Sequence, residues 1–279
     1  MGVRRAVDMA MREASSQTGR DVFTLGPLIH NPAVLEDLAE HGIKVLAEGE
    51  VPPGNENSTV IIRAHGVHPE VEKELTRRGA HILDATCPHV KANREKARLL
   101  CSRGNVIFLA GDREHAELIG IRGYVDGPCF IAANPGEAEE EASKLARTSP
   151  GAGTALIGQT TISPEEYRAI GDAIKRYFPG LEIVDTICGA TRERQNSLRE
   201  LCGKADAFII AGGRESANTK RLLAIAENCG KKAWLVESAG DIPPEIGSFA
   251  TVGLSAGAST PDSVIDAIEE KLRGIHEGN

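Results

Sequence analysis

Ile82-Leu83-Asp84-Ala85-Thr86-Cys87 and Ile183-Val184-Asp185-Thr186-Ile187-Cys188 are one frame written twice, 101 residues apart. The correspondence continues downstream at the same offset. Arg98 matches Arg199, Cys101 matches Cys202, Ala110-Gly111 matches Ala211-Gly212, and Arg113-Glu114 matches Arg214-Glu215. Such self-similarity marks a duplicated structural unit. Each copy ends an apolar strand, places a thiol at the tip, and then opens a helix. A fold that repeats this arrangement can aim several thiolates at one point, which is the chemistry of a metal or an iron–sulfur cluster.

On either side of these frames, apolar strands are read at Val22–Leu25, Val60–Ile62, Val106–Leu109, Ala155–Ile157, Phe208–Ile210, Ala233–Val236 and Thr251–Leu254. Helical periodicity separates them, as at Pro32–Glu40, Pro69–Arg78, Glu165–Tyr177 and Pro261–Arg273. This alternation predicts an α/β protein with mainly parallel sheets. Three helix starts recur: His68-Pro69-Glu70, Ser163-Pro164-Glu165 and Thr260-Pro261-Asp262. Each sets proline in the first turn with an acid behind it, matching the helix dipole. A second trio follows a glycine by four positions: His30 after Gly26, His115 after Gly111, and Ser216 after Gly212. The chain therefore reads as three copies of one α/β unit, residues 1–84, 85–185 and 186–279. In the second and third copies a base follows the cysteine by four positions, Lys91 and Arg192; Arg4 fills that slot in the first. The first copy's thiol would then fall one residue before Met1, and a start site called too late is the expected reason.

Composition narrows the function. The chain of 279 residues carries a formal net charge of −8, and only 4% of it is aromatic. Nucleic-acid binders are usually basic and stack bases on aromatic rings, so no nucleic-acid partner is expected. No apolar run approaches the roughly 20 residues that span a bilayer. Met1-Gly2-Val3-Arg4-Arg5 leads into an amphipathic helix, not a signal peptide, so a cytoplasmic location is expected. Six cysteines in such a chain read as reduced thiols or ligands.

In doubly wound sheets, ligands sit beyond the carboxyl ends of the strands, and the polar residues of this chain gather there. A lone cysteine is most often inert packing, but the duplicated frame favours Cys87 and Cys188 as ligands. Cys101 and Cys202 fall on apolar helix faces and read as core, and Cys129 and Cys229 read as packing. His30, His65 and His115 all follow strands. They could donate to a phosphate or ligate a metal, although no close histidine spacing supports a compact zinc site. Ser216-Ala217-Asn218-Thr219 and Ser255-Ala256-Gly257-Ala258-Ser259-Thr260 suit an anion at a helix start, or simple capping. Gln159-Thr160-Thr161 ends a strand with hydroxyls that could hold substrate or water. Glu117 is the acid nearest a histidine and could serve as a general acid if buried.

Taken together, Ile29-His30-Asn31-Pro32, Ala64-His65-Gly66-Val67, Asp84-Ala85-Thr86-Cys87-Pro88, His115-Ala116-Glu117, Gly158-Gln159-Thr160-Thr161, Ile187-Cys188-Gly189-Ala190-Thr191, Ser216-Ala217-Asn218-Thr219 and Ala256-Gly257-Ala258-Ser259 resemble the 4-hydroxy-3-methylbut-2-enyl diphosphate reductases. The resemblance runs through essentially the whole chain, in order. It implies three α/β domains in a trefoil around a central cavity that holds a 4Fe–4S cluster, the last reductive step of the non-mevalonate isoprenoid route, and an electron donor such as ferredoxin or flavodoxin. Carried over by motif, Cys87 and Cys188 are two cluster ligands, the third preceding Met1. His30, His65, His115, Ser216, Asn218 and Ser259 form a diphosphate cage; Glu117 is the proton source and Thr160 its helper. Ala217 departs from the pattern, standing where family members often carry a second serine. Two rivals remain open on residues alone: a cluster-free diphosphate-binding relative, and a zinc hydrolase using the histidines.

Overall fold

A computed structural model describes residues 2–16, 19–47, 50, 52 and 57–277. The elements run α1 (Gly2–Ala14), β1 (Asp21–Leu25), α2 (Pro32–Glu40), β2 (Ile43–Leu46), β3 (Ser58–Ile62), α3 (Pro69–Arg77) and β4 (His81–Asp84). These are followed by α4 (Pro88–Ser102), β5 (Val106–Ala110), α5 (Ala116–Gly123), β6 (Cys129–Ala132), α6 (Pro135–Thr148), β7 (Thr154–Gly158), α7 (Pro164–Lys175) and β8 (Glu182–Ile183). The chain closes with α8 (Gly189–Cys202), β9 (Ala207–Ala211), α9 (Ala217–Asn228), β10 (Lys232–Val236), β11 (Val252–Ala256) and α10 (Asp262–Glu277).

The strands form three parallel sheets, ordered β2-β1-β3-β4, β6-β5-β7-β8 and β10-β9-β11. In each, the first strand is central, with the second on one side and the third on the other. The first two sheets add a fourth strand, and it is this strand that runs into Cys87 or Cys188. The repeated connection also ends alike. Gly26, Gly111 and Gly212 follow the central strands, and their N–H groups donate to Leu46, Ala132 and Val236, the last residues of the second strands. All three have φ values in the left-handed region, 72°, 143° and 145°. Only glycine adopts these without strain, which explains the glycine spacing in the sequence.

The chain divides into two compact units. One comprises Met1–Leu28 with Leu38–Cys188 and contains the first two sheets; the other comprises Ile29–Asp37 with Gly189–Asn279 and contains the third. Sheets covered on both faces read as continuous apolar runs. Along β5, Val106, Phe108 and Ala110 pack with Tyr167, Ile170 and Ile174 on one face. Ile107 and Leu109 face the other way, toward Leu100, Leu118 and Ile121. In the third sheet, Phe208 and Ile210 meet Leu198 and Leu222, while Ile209 meets Ile246 and Ile268. Each such buried side chain contributes about 1.5–3 kcal/mol of transfer free energy. Among the described residues, no helix is long and apolar enough to cross a membrane.

Local capping fixes where the helices begin. Ser163 accepts from the Glu166 N–H at 3.1 Å, and Glu166 accepts from the Ser163 N–H at 3.1 Å, a reciprocal box at the start of α7. His68 and His115 cap α3 and α5 through Nδ1, which accepts from Glu70 and Glu117 N–H. Cys229, expected to pack, is instead exposed; it caps the end of α9, where the chain leaves the helix at the surface.

Candidate active site

The first unit holds most of the candidate chemistry. Glu117 lies in the first turn of α5 and is 1% exposed. A carboxyl group this deep in the protein must be hydrogen-bonded to be tolerated. Thr160 supplies two bonds: its backbone N–H donates to Oε1 and its hydroxyl to Oε2, each at 2.8 Å. The Thr160 carbonyl in turn accepts from the Cys188 N–H at 2.9 Å. Glu117, Thr160 and Cys188 therefore form one bonded chain linking α5, the loop after β7 and the loop that follows β8. The His65 and His115 rings meet edge to face, their centroids 5.0 Å apart.

Cys87 is the N-cap residue of α4, and its side chain makes no cap bond. Its N–H donates to the Ala64 carbonyl at 2.9 Å, beside His65. Arg5 braces the approach, donating to the carbonyls of Ala85 at 2.9 Å and Thr86 at 2.6 Å. Asp84 accepts from the Thr86 N–H and pairs with Lys91. Burial raises the Asp84 pKa, but the bonds from Lys91 and Thr86 outweigh it and hold the carboxyl below its usual value. Helix α1 starts against the same thiol. A Cβ at Gly2 would lie 2.8 Å from the Cys87 Cβ and 2.9 Å from its Sγ, so no side chain fits there. The Cys188 loop is tied to α4 by Asn93, whose amide donates to the Thr186 carbonyl at 3.2 Å, while Thr186 Oγ1 accepts from the Gly158 N–H at 2.8 Å.

Both thiols are half-buried and uncommitted to disulfides. Cysteine sulfur is the donor that iron–sulfur centres require. The donor type therefore fits such a group. Among the described residues, however, no cluster of three or more His, Cys, Asp or Glu could hold a metal ion. A cavity of about 490 Å³ lies in this unit, lined by residues such as Leu25, Leu46, Val67, Val71 and Ile119. None of the candidate catalytic residues lines it.

In the second unit, Ser216 caps α9, its hydroxyl accepting from the Thr219 N–H at 3.4 Å. Asn218 is 5% exposed, yet neither its amide nitrogen nor its oxygen has a partner; Thr219 Oγ1 is also unpaired. A buried, unsatisfied amide at a helix start is a ready anion site. Gly257 is pressed against Thr219 and Thr260, and Thr260 Oγ1 donates to the Ala211 carbonyl at 3.0 Å. Ser259 is half-buried in the same loop. The His30 carbonyl abuts Gly213 so closely that no Cβ could be accommodated. Arg5, Asn93 and Thr186 were not legible as site supports, because their partners lie far away in sequence.

Parallel α/β sheets bearing strand-end thiols and a buried acid–hydroxyl pair define the class: an α/β enzyme. The sequence profile of the LytB protein family matches residues 1–273, and the chain belongs to that family. It is 43% identical over 278 residues to the 4-hydroxy-3-methylbut-2-enyl diphosphate reductase of Treponema denticola, spanning 97% of this chain and 94% of that one. The reductase so named from Anaeromyxobacter sp. is 38% identical, spanning 99% and 94%. Among solved structures, that of (E)-4-hydroxy-3-methyl-but-2-enyl diphosphate reductase, the terminal enzyme of the non-mevalonate pathway, superposes with a TM-score of 0.69 at 33% identity, covering 98% of this chain and 95% of that one. The Plasmodium falciparum E-1-hydroxy-2-methyl-but-2-enyl-4-diphosphate reductase shares the fold with a TM-score of 0.88 at 24% identity, covering 96% and 83%.

Proposed function

We propose that this chain reduces 4-hydroxy-3-methylbut-2-enyl diphosphate to isopentenyl and dimethylallyl diphosphate with loss of water, the last step of the non-mevalonate isoprenoid route. The observation behind the reading is the bonded chain Glu117–Thr160–Cys188, which ties a buried acid, through Thr160, to the backbone of a candidate metal-ligating cysteine. The activity named for relatives up to 43% identical supports it.

Cys87 and Cys188 are read as two of the ligands of a 4Fe–4S cluster, which supplies electrons and Lewis acidity when bound. The protein's own work is binding, orientation and proton delivery. Glu117 is read as the proton source: the Thr160 hydroxyl, which donates to Glu117 Oε2 at 2.8 Å, turns to accept from the protonated carboxyl and passes its own proton onward. That proton leaves with the substrate hydroxyl as water as the C–O bond breaks; two electrons from the external donor and a second proton, taken up at an allylic carbon, complete the product. By resemblance, His30, His65, His115, Ser216, Asn218 and Ser259 are read as donors to the diphosphate oxygens. Of these, Asn218 has the clearest need for a ligand. A ferredoxin or flavodoxin is the proposed electron donor.

Glu117→Gln tests the assignment. It keeps the size and the Thr160 contact but carries no acidic proton. Turnover with this substrate and a reduced donor is expected to fall by about 10²–10⁴-fold, with inorganic diphosphate affinity preserved by calorimetry. Turnover equal to the parent would remove Glu117 from the mechanism.

A further inference from the structure

Gln159, the first residue after β7, is fully buried. Its side chain uses both ends of its amide. Oε1 accepts from the Asp112 N–H at 3.0 Å, and Nε2 donates to Thr161 Oγ1 at 2.9 Å. Its own N–H donates to the Ala110 carbonyl at 2.8 Å. Asp112 opens the turn that delivers His115 and Glu117, and Thr161 follows Thr160. One side chain thus fastens the two loops that carry the Glu117–Thr160 pair.

Gly111 makes room for this clamp. A Cβ there would lie 2.6 Å from Gln159 Oε1 and 2.7 Å from Gln159 Cβ, at a φ of 143°. The repeat shows that the position itself is variable. In the first sheet the Arg63 guanidinium lies against Gly26, while in the third Gly257 donates to Ala211 and has no side chain to offer. Packing of the unit therefore does not require an amide here. An amide is the group that offers a donor and an acceptor at fixed spacing.

We propose that Gln159 is a positioning residue for proton delivery, holding Thr160 in register with the Glu117 carboxyl. This rests on reading Glu117 as the proton source. Misplacing a reacting group by about 1 Å can cost about 10²-fold in rate. Gln159→Met keeps the length and removes both bonds. Gln159→Glu keeps an oxygen for the Asp112 N–H and a second that can bond the Thr161 hydroxyl.

The test uses the full-length, cluster-loaded protein and measures kcat, KM, inorganic diphosphate binding and melting temperature. Gln159→Met is expected to lower kcat by about ten- to a hundredfold, with KM and diphosphate affinity within about threefold of the parent. Gln159→Glu is expected to restore most of the lost kcat. The clamp is overturned if Gln159→Met turns over normally, if Gln159→Glu is as slow as Gln159→Met, or if the loss comes with a fall in melting temperature and diphosphate affinity. Glu117→Gln separates the two ideas: slow Glu117→Gln with normal Gln159→Met defeats the clamp alone, whereas normal Glu117→Gln defeats the site reading beneath it.

Discussion

Asn218 is the side chain that the fold itself explains least. Leaving a buried amide unpaired costs about 1–3 kcal/mol, and a bond to a charged group returns a similar amount. Asn218→Leu is therefore expected to leave the melting temperature unchanged or higher while weakening inorganic diphosphate binding about ten- to a hundredfold. A fall in melting temperature with unchanged binding would mark Asn218 as structural. Cys129 offers a test by pH. Burial pushes its thiol up to about 12 from an ordinary 9.0, with Arg122 opposing. The folded protein keeps a proton that the unfolded chain releases between pH 9 and 12. This group's contribution is complete below pH 9 and is lost as pH rises through that window, by about 1.4 kcal/mol per unit. Cys129→Val should flatten the alkaline loss in melting temperature; parallel curves for the two proteins would contradict this.

The helices separate stability from chemistry. Ser163→Ala breaks the box at the start of α7 and should cost about 1 kcal/mol of stability, seen as a lower denaturation midpoint with kcat unchanged. Arg5→Met removes the donor that holds the Ala85 and Thr86 carbonyls. It should speed iron loss to a chelator under anaerobic conditions, and loss at the parental rate would show that the Cys87 loop holds itself. These elements also mark how far the sequence could be read. Strand ends and helix starts were legible because glycine, proline and capping chemistry act locally, as at Gly111, Ser163 and Ser216. The four-residue β2 and β6 were not, since short, half-exposed runs carry little periodic signal. The clamp of Gln159 and the tie of Asn93 were hidden for another reason: their partners are 47 and 93 residues away.

Three sheets with one strand order tie the whole molecule to its opening motif. The duplicated frames announced that two thiols end equivalent strands, and the fourth strands β4 and β8 lead to Cys87 and Cys188. We propose that the sheets derive from one unit repeated three times, with boundaries near residues 84 and 185. What the repeat could not convey is which side chains support each tip, because Arg63, Gln159 and Gly257 follow corresponding third strands with different chemistry. We propose that the two duplicated thiols, and not the other cysteines, hold a redox-active iron centre. Iron and sulfide analysis after anaerobic reconstitution of the parent, Cys87→Ser, Cys188→Ser and Cys101→Ser addresses it most directly. Cys87→Ser and Cys188→Ser are expected to lose iron and sulfide while Cys101→Ser matches the parent. Equal iron in all four proteins, or equal loss from all three variants, would contradict it.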